Sequence, residues 1–207
     1  MTAACLLAGL VLAGCSRQTQ FTYEGSRLES MARDLQENAQ ADSFAKNLCV
    51  VTGEEGEEDA SVTAEAAAAF GIDSKQVIFQ KNPFERLYPA SITKIMTALI
   101  AIRDGDLTDS VTVGPETVIT ETGASLAHIN PGDTLTMEQL LYGLMLPSGN
   151  DAGAAIAVHM AGSTEAFAEK MNETSQALGA TDTHFVNPHG LNNEDHYTTA
   201  YDLYLIF

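Results

Sequence analysis

The apolar positions along the chain mark out most of its elements. In "PASITKIMTALIA", residues 89–101, Ile92, Ile95, Met96, Leu99 and Ile100 recur every three or four residues, the spacing of a helix that buries one stripe. Ser91 opens this helix, and Lys94 falls three residues later on the same side. Thr136 and Gln139 have the spacing of a capping box, which predicts a helix from Met137 to Met145 with a core stripe of Leu140, Leu141, Leu144 and Met145. Pro147 stops it. A second helix is expected from Asp151 to Met160, closed by Gly162, and a third from Glu165 to Leu178, closed by Gly179 in the left-handed cap position. A last helix begins at about Thr199.

Strand signals are fewer. "AEAAAAFGIDSKQVIFQKN" sets helix-favouring alanines against the alternating, strand-rich "QVIFQ" and the turn-like "GIDSK". A hairpin pairing Ala64–Ile72 with Gln76–Gln80 reconciles them. "VTVGPETV" reads as a short strand and a turn.

The N-terminal third has a different texture. Ala3 to Leu12 is an apolar run of signal-peptide length, too short to span a bilayer. It ends in Leu12-Ala13-Gly14-Cys15, which resembles the lipobox of bacterial lipoproteins, although no Lys or Arg precedes the run. That resemblance implies a signal peptide over 1–14, cleavage before Cys15 and a lipid on its thiol, hence an extracytoplasmic protein anchored to the cell membrane. Residues 15–60 read as a tether, with a possible helix through Leu28 to Gln36 and an exposed acidic loop, "TGEEGEEDA". With Cys5 removed and Cys15 lipidated, Cys49 is left without a disulfide partner.

Composition bounds the function. In 207 residues, 45% are hydrophobic and 18% charged, which describes a globular protein with a real core. The net charge of −18, with Lys170 the only Lys or Arg after Arg103, argues against nucleic acid as a partner, because phosphate contacts need the cations that are missing.

The chemistry centres on Ser91 and Lys94. A lysine drawn under an apolar helix loses hydration, and its neutral amine becomes accessible. A neutral amine beside a hydroxyl is a base beside a nucleophile. The alternative is a surface lysine snorkelling off a core helix. Ser43 and Lys46, in "SFAK", share the spacing but have no apolar helix behind them, so they form a decoy pair. The second feature is Ser148-Gly149-Asn150, a tight turn between two apolar helices. Gly149 is expected there for its backbone freedom, so that the turn aims a hydroxyl and an amide into one cleft.

With "RLYPASITKIMTALIA", "LLYGLMLPSGNDAGAAIA" and "FVNPHGLNNEDHYTTAYDL" in this order, the chain resembles the D-alanyl-D-alanine carboxypeptidases, low-molecular-mass penicillin-binding proteins. The resemblance runs from about Ala64 to Phe207. It implies the α/β fold shared with serine β-lactamases and D,D-peptidases, a helical subdomain beside an antiparallel sheet, here over residues 61–207. It also implies catalytic roles for Ser91, Lys94, Ser148 and Asn150, with Gly149 at the substrate. Ser91 would attack the bond between two terminal D-alanines of a peptidoglycan stem peptide, Lys94 would take its proton, and Ser148 would relay one to the leaving D-alanine. The Ser91 N–H would supply half of an oxyanion hole. β-Lactams would be covalent inhibitors, and no cofactor or metal is implied.

No Lys-Thr-Gly triplet occurs in the sequence. In the resembling family that triplet lies on a cleft-lining strand beyond the "PHGL" region, so a C-terminally truncated domain lacking its last sheet strands, of doubtful activity, is the expectation. A serine β-lactamase is a rival, although its second motif usually carries Asp where Gly149 stands; a non-catalytic envelope lipoprotein is another. His184, His189 and His196 lack the spacing of a helical metal-ligand pair, and the family places His189 in a structural loop.

Overall fold

The computed structural model describes Leu48, Cys49, Val51 and residues 61–207. The expected signal peptide, Cys15, the 28–36 helix, the acidic loop and the Ser43–Lys46 decoy lie outside the described residues.

The alanine-rich conflict resolves as a hairpin. Strand β1 (Ala67–Gly71) pairs antiparallel with β2 (Gln76–Lys81), with an irregularity between Ala69 and Phe70. The hairpin is held by aromatic packing, since Phe70 stacks on Tyr204 with ring centroids 4.1 Å apart and meets Tyr201 edge-on. Both tyrosines belong to the C-terminal helix, and both also grip Cys49. The Cys49 N–H donates to Tyr204 Oη (2.9 Å), and the Tyr201 hydroxyl donates to the Cys49 carbonyl (3.0 Å). Cys49 is a buried free thiol.

Helix α1 (Thr93–Asp104) is entered through a 3-10 turn over Ala90–Ile92, so the regular helix starts two residues after Ser91. This offset corrects one expectation. Ile92 sits on the tighter turn, out of phase with the stripe, and is 44% exposed, while Met96 and Ile100 are buried. The short strand and turn expected at "VTVGPETV" are present as β3 (Ser110–Thr112) and a 3-10 turn over Pro115–Thr117, and β3 pairs with a strand the pattern did not announce, β4 (Thr134–Thr136), whose three residues show no usable alternation.

Helix α2 (Met137–Met145) has the expected capping box in full: Thr136 Oγ1 accepts the Gln139 N–H, and Gln139 Oε1 accepts the Thr136 N–H. Leu140, Leu141 and Leu144 enter the core, but Met145 is half exposed. It lies on the last turn beside exposed Leu146 and Tyr142, where α2 leaves its neighbours. Helices α3 (Asn150–Ala161) and α4 (Thr164–Ala177) follow, with Gly162 and Gly179 both at positive φ. Helix α5 (Ala200–Ile206), capped by Thr199, closes the chain.

The core is helical and lies where α1, α2, α3 and α4 meet, filled by Met96, Ile100, Met137, Leu140, Leu144, Ile156, Phe167 and Met171. Helix α3 is buried nearly all round because its first turns are small residues, Ala152, Gly153, Ala154 and Ala155. A Cβ on Gly153 would stand 3.2 Å from Leu144 Cδ1, so glycine allows the two helices to close up. That approach brings the N-terminus of α3 against α1. Among the described residues, no helix is long and apolar enough to cross a membrane.

Candidate active site

Three elements converge on Lys94. The side chain leaves the first turn of α1 and is almost fully buried, at 2% exposure, so it does not snorkel to solvent. Its Nζ lies 2.7 Å from Asn150 Oδ1 at the start of α3, 2.7 Å from the His189 carbonyl oxygen, and 3.2 Å from Ser91 Oγ. Both carbonyl oxygens can only accept, so each consumes an N–H. An ammonium spends its third hydrogen on Ser91 Oγ. A neutral amine has two hydrogens for the carbonyls and one lone pair, which is left facing the Ser91 hydroxyl. Deprotonating Lys94 therefore converts the Ser91 contact from donor to acceptor without moving an atom.

Burial also biases Lys94 toward that state. Its pKa is lowered to about 8 by desolvation, partly offset by the negative charge of Asp151. Ser91, by contrast, is exposed at the mouth of the site, on the turn that opens α1.

The Ser148-Gly149-Asn150 turn takes an unexpected form. Gly149 has φ −63 and ψ 116, open to any residue, whereas Ser148 holds the left-handed φ of 59. Glycine is needed at 149 for space. A Cβ would stand 2.6 Å from the Gly143 carbonyl oxygen, 2.7 Å from Asp151 Oδ1 and 2.8 Å from Ala127 Cβ. The Gly149 N–H donates to that Gly143 carbonyl, and the Asn150 N–H donates to the Ser125 carbonyl. Ser148 Oγ is buried without a hydrogen-bond partner among the described residues. Ser91, Lys94 and Asn150 thus form one bonded cluster, and Ser148 stands next to it in the chain without joining it.

Several further residues, which no motif marks, build the site. The loop from Asn187 to Gly190 runs along α1, offering the Pro188 carbonyl to Thr97 Oγ1 (2.6 Å) and the His189 carbonyl to Lys94. Asn187 Oδ1 accepts the Gly190 N–H (2.7 Å) and fixes the loop's turn. His196 Nδ1 accepts the Val186 N–H, so Nε2 carries the ring hydrogen and donates to Thr93 Oγ1, 2.8 Å away. Asp151 is 1% exposed and accepts backbone N–H groups from Ala127, Ile129 and Ala152. An acid placed two residues before "GAAIA" in a helix that must be buried was the one legible sign of it.

His189 and His196 are both neutral supports, with pKa values lowered to about 4 chiefly by burial. His184 bonds the Asp195 carbonyl instead. Among the described residues no group of three or more His, Cys, Asp or Glu side chains is placed to hold a metal ion.

The family model for D-alanyl-D-alanine carboxypeptidases of peptidase family S11 matches residues 53–207. The chain belongs to this family. Among curated members it is 39% identical over 155 residues to the D-alanyl-D-alanine carboxypeptidase DacF of Bacillus subtilis, covering 72% of this chain and 40% of DacF. To DacA of Escherichia coli it is 38% identical, covering 70% of this chain and 38% of DacA. Among solved members, a D-alanyl-D-alanine carboxypeptidase of Mycobacterium tuberculosis superposes with a TM-score of 0.67 at 33% identity, over 74% of this chain and 58% of that one. Penicillin-binding protein 5 of Haemophilus influenzae gives 0.66 at 31% identity, over 73% and 46%. The fold is accordingly that of the serine D,D-peptidases, mixed α/β with helices beside small antiparallel sheets. The chain spans about 40% of the length of the curated relatives it matches.

Proposed function

We propose that this chain carries the acylating centre of a serine D-alanyl-D-alanine carboxypeptidase, which removes the terminal D-alanine from peptidoglycan stem peptides. The observation that carries the proposal is the partner set of Lys94, two obligate acceptors at 2.7 Å with the remaining valence aimed at Ser91 Oγ. Ser91 Oγ forms a bond to the carbonyl carbon between the two D-alanines, and its proton passes to the Lys94 amine. The C–N bond then breaks, and the departing D-alanine amine takes a proton by way of Ser148, whose hydroxyl no other described group engages. Water attacks the acyl-Ser91 ester and releases the shortened peptide. No step calls for a cofactor or a metal.

Asn150 holds Lys94 through Oδ1, which leaves its amide hydrogens for a substrate carbonyl. Gly149 lets the turn lie flush against Gly143 and Ala127. The same packing leaves no room for an aspartate at 149, which sets the site apart from the β-lactamase pattern. A β-lactam presents a strained amide to the same nucleophile and stays as an acyl-enzyme. The family's penicillin-binding members support this reading.

For residues outside the described part, the lipobox-like Leu12-Ala13-Gly14-Cys15 supports attachment to the outer side of the cell membrane through lipidated Cys15. Metabolic labelling with a palmitate analogue should tag the native protein and not Cys15→Ala.

Fluorescent penicillin tests the nucleophile in the protein as its host makes it. Ser91→Ala should abolish covalent labelling, while Ser43→Ala should leave it intact. D-Alanine release from a diacetyl-Lys-D-Ala-D-Ala peptide should fall with the labelling. Labelling that follows Ser43, or survives loss of Ser91, would overturn the assignment.

A further inference from the structure

The buried carboxylate nearest the Ser91–Lys94 pair in the chain takes no part in acylation. Asp151 follows Asn150 in the first turn of α3, is 1% exposed and meets no described Lys or Arg at ion-pair distance. A carboxylate so placed is costly unless its oxygens are satisfied. Here they are satisfied by peptide groups: Oδ1 accepts the Ala127 N–H at 2.8 Å and the Ala152 N–H at 2.9 Å, and Oδ2 accepts the Ile129 N–H at 3.0 Å.

These bonds join two segments that are distant in sequence. His128, between the two tethered amides, holds a φ of 62, a conformation costly for a side-chain-bearing residue. The bonds from Asp151 to both neighbours of His128 hold that kink. The kinked segment closes over the Ser148-Gly149-Asn150 turn, with Ala127 Cβ against Gly149 and the Ser125 carbonyl on the Asn150 N–H. Removing the carboxylate frees the wall against which Asn150 is set, and Asn150 sets Lys94.

The carboxylate also acts through space. The charged and titratable groups around the Lys94 amine are Asp151 from α3 and His189 from the 187–190 loop, with His196 behind His189. Both histidines are neutral at pH 7. Among the described residues Asp151, next in the chain to the Asn150 whose Oδ1 lies 2.7 Å from Nζ, is therefore the opposing charge that the amine feels, and it limits how far burial depletes the ammonium.

We propose that Asp151 is a positioning residue for the Ser91–Lys94 pair: its buried carboxylate ties the Ala127–Ile129 segment over the Ser148-Gly149-Asn150 turn and sets a negative charge beside the Asn150 that holds the Lys94 amine. The proposal rests on Lys94 being the base, but its test reads Lys94 itself and needs no turnover. The five lysines are few enough for 13Cε NMR of the whole chain, with Lys94 assigned by its loss in Lys94→Met. In Asp151→Asn the Lys94 midpoint should move down by about one pH unit. Asp151→Ser, smaller and still able to accept one N–H, should move it in the same direction. A midpoint that stays put, or rises, in either folded variant overturns the proposal, since a purely structural tether predicts no downward shift.

The unmodified protein supplies a reading that depends on no variant. The Ala127 and Ile129 amide resonances should show an inflection coincident with Lys94, near pH 8. Its absence overturns the proposal even where neither variant folds. Penicillin labelling lost on Ser91→Ala, with these titrations flat, would leave the enzyme assignment standing and remove only the role of Asp151.

Discussion

Gly190 and Ala90 meet backbone to backbone: a Cβ on Gly190 would overlap the Ala90 carbonyl oxygen, and it would also stand 2.9 Å from Thr93 Oγ1. Both residues hold positive φ, 84 at Gly190 and 49 at Ala90. The loop that feeds the His189 carbonyl to Lys94 is thereby pressed against the turn that presents Ser91. Glycine at 190 is required twice, for its left-handed torsion and for the absence of a side chain.

Gly190→Ala should consequently damage the site more than its size suggests. The left-handed torsion alone costs on the order of 1 kcal/mol for alanine, and the overlap with the Ala90 backbone cannot be relieved by a rotamer change. A clear drop in the denaturation midpoint is expected, together with loss of most penicillin acylation. Near-normal stability and labelling would show that the two turns are free to separate.

On the proposed mechanism the Lys94 amine sets the pH dependence of acylation. Its pKa is lowered to about 8, so the lone pair that faces Ser91 is scarce below that pH and plentiful above it. The second-order rate of penicillin acylation should rise about tenfold per pH unit on the acidic side and level off above about 8. The same shift has a stability consequence of fixed sign. Between about 8 and the unfolded value of 10.5 the unfolded chain binds the extra proton, so stability rises with pH across that window and is flat on either side. A rate that is level from pH 6 to 9 would remove Lys94 from the role of base.

Much of this arrangement was legible in the sequence, and the misses share a physical cause. Helix ends are legible because caps are local: Thr136 with Gln139, Gly162 and Gly179 act within one turn of chain. Lys94 was readable because its apolar neighbours dictated burial. Gly149 was placed correctly for the wrong reason. Its torsions are ordinary, and what demands glycine is the approach of Gly143, Ala127 and Asp151, which lie up to 22 residues away in the chain and are joined only by the fold. Asp151, His196 and Thr93 went without a role on the same account, since each is given its purpose by a partner from another segment. Ile92 and Met145 fit the core periodicity yet lie exposed, because that periodicity fails within a turn of a helix end.

The two supporting histidines make the fold sensitive to acid. His189 and His196 have pKa values lowered from 6.5 to about 4, in both cases mainly by burial. Between those limits the unfolded chain takes up protons that the folded chain refuses. Stability is therefore full above about 6.5, falls by up to about 1.4 kcal/mol per pH unit for each histidine as pH drops, and stops falling below about 4. Because His189 also feels His196, the two losses do not simply add. Urea denaturation from pH 7 to 4 should show this decline, and His196→Gln should lower stability at pH 7 while flattening the slope. An unchanged slope in that variant would mean His196 is charged in the fold, and its bond from the Val186 N–H would then have to be absent.

Asn150→Asp offers the sharpest test of how Lys94 is used. The substitution keeps an oxygen acceptor 2.7 Å from Nζ and changes almost no volume, but it places a negative charge where a neutral carbonyl stood. An opposite charge at that distance favours the ammonium and raises the lysine pKa by about one to three units. Since the fraction of neutral amine falls tenfold per unit, acylation near pH 7 should fall by roughly ten- to a thousandfold. The loss should be recoverable, because raising the pH past the new midpoint restores the lone pair facing Ser91. Asn150→Ala behaves differently. It strips one acceptor from a buried amine, leaving an N–H unpaired and the side chain free to swing away from Ser91. Its acylation should be low at every pH, with no upward displacement of the limb. Profiles of penicillin acylation from pH 6 to 11 for both variants separate the two effects. If the aspartate variant is as poor at pH 11 as at pH 7, Asn150 serves by shape or by its amide hydrogens, and the electrostatic account of Lys94 fails.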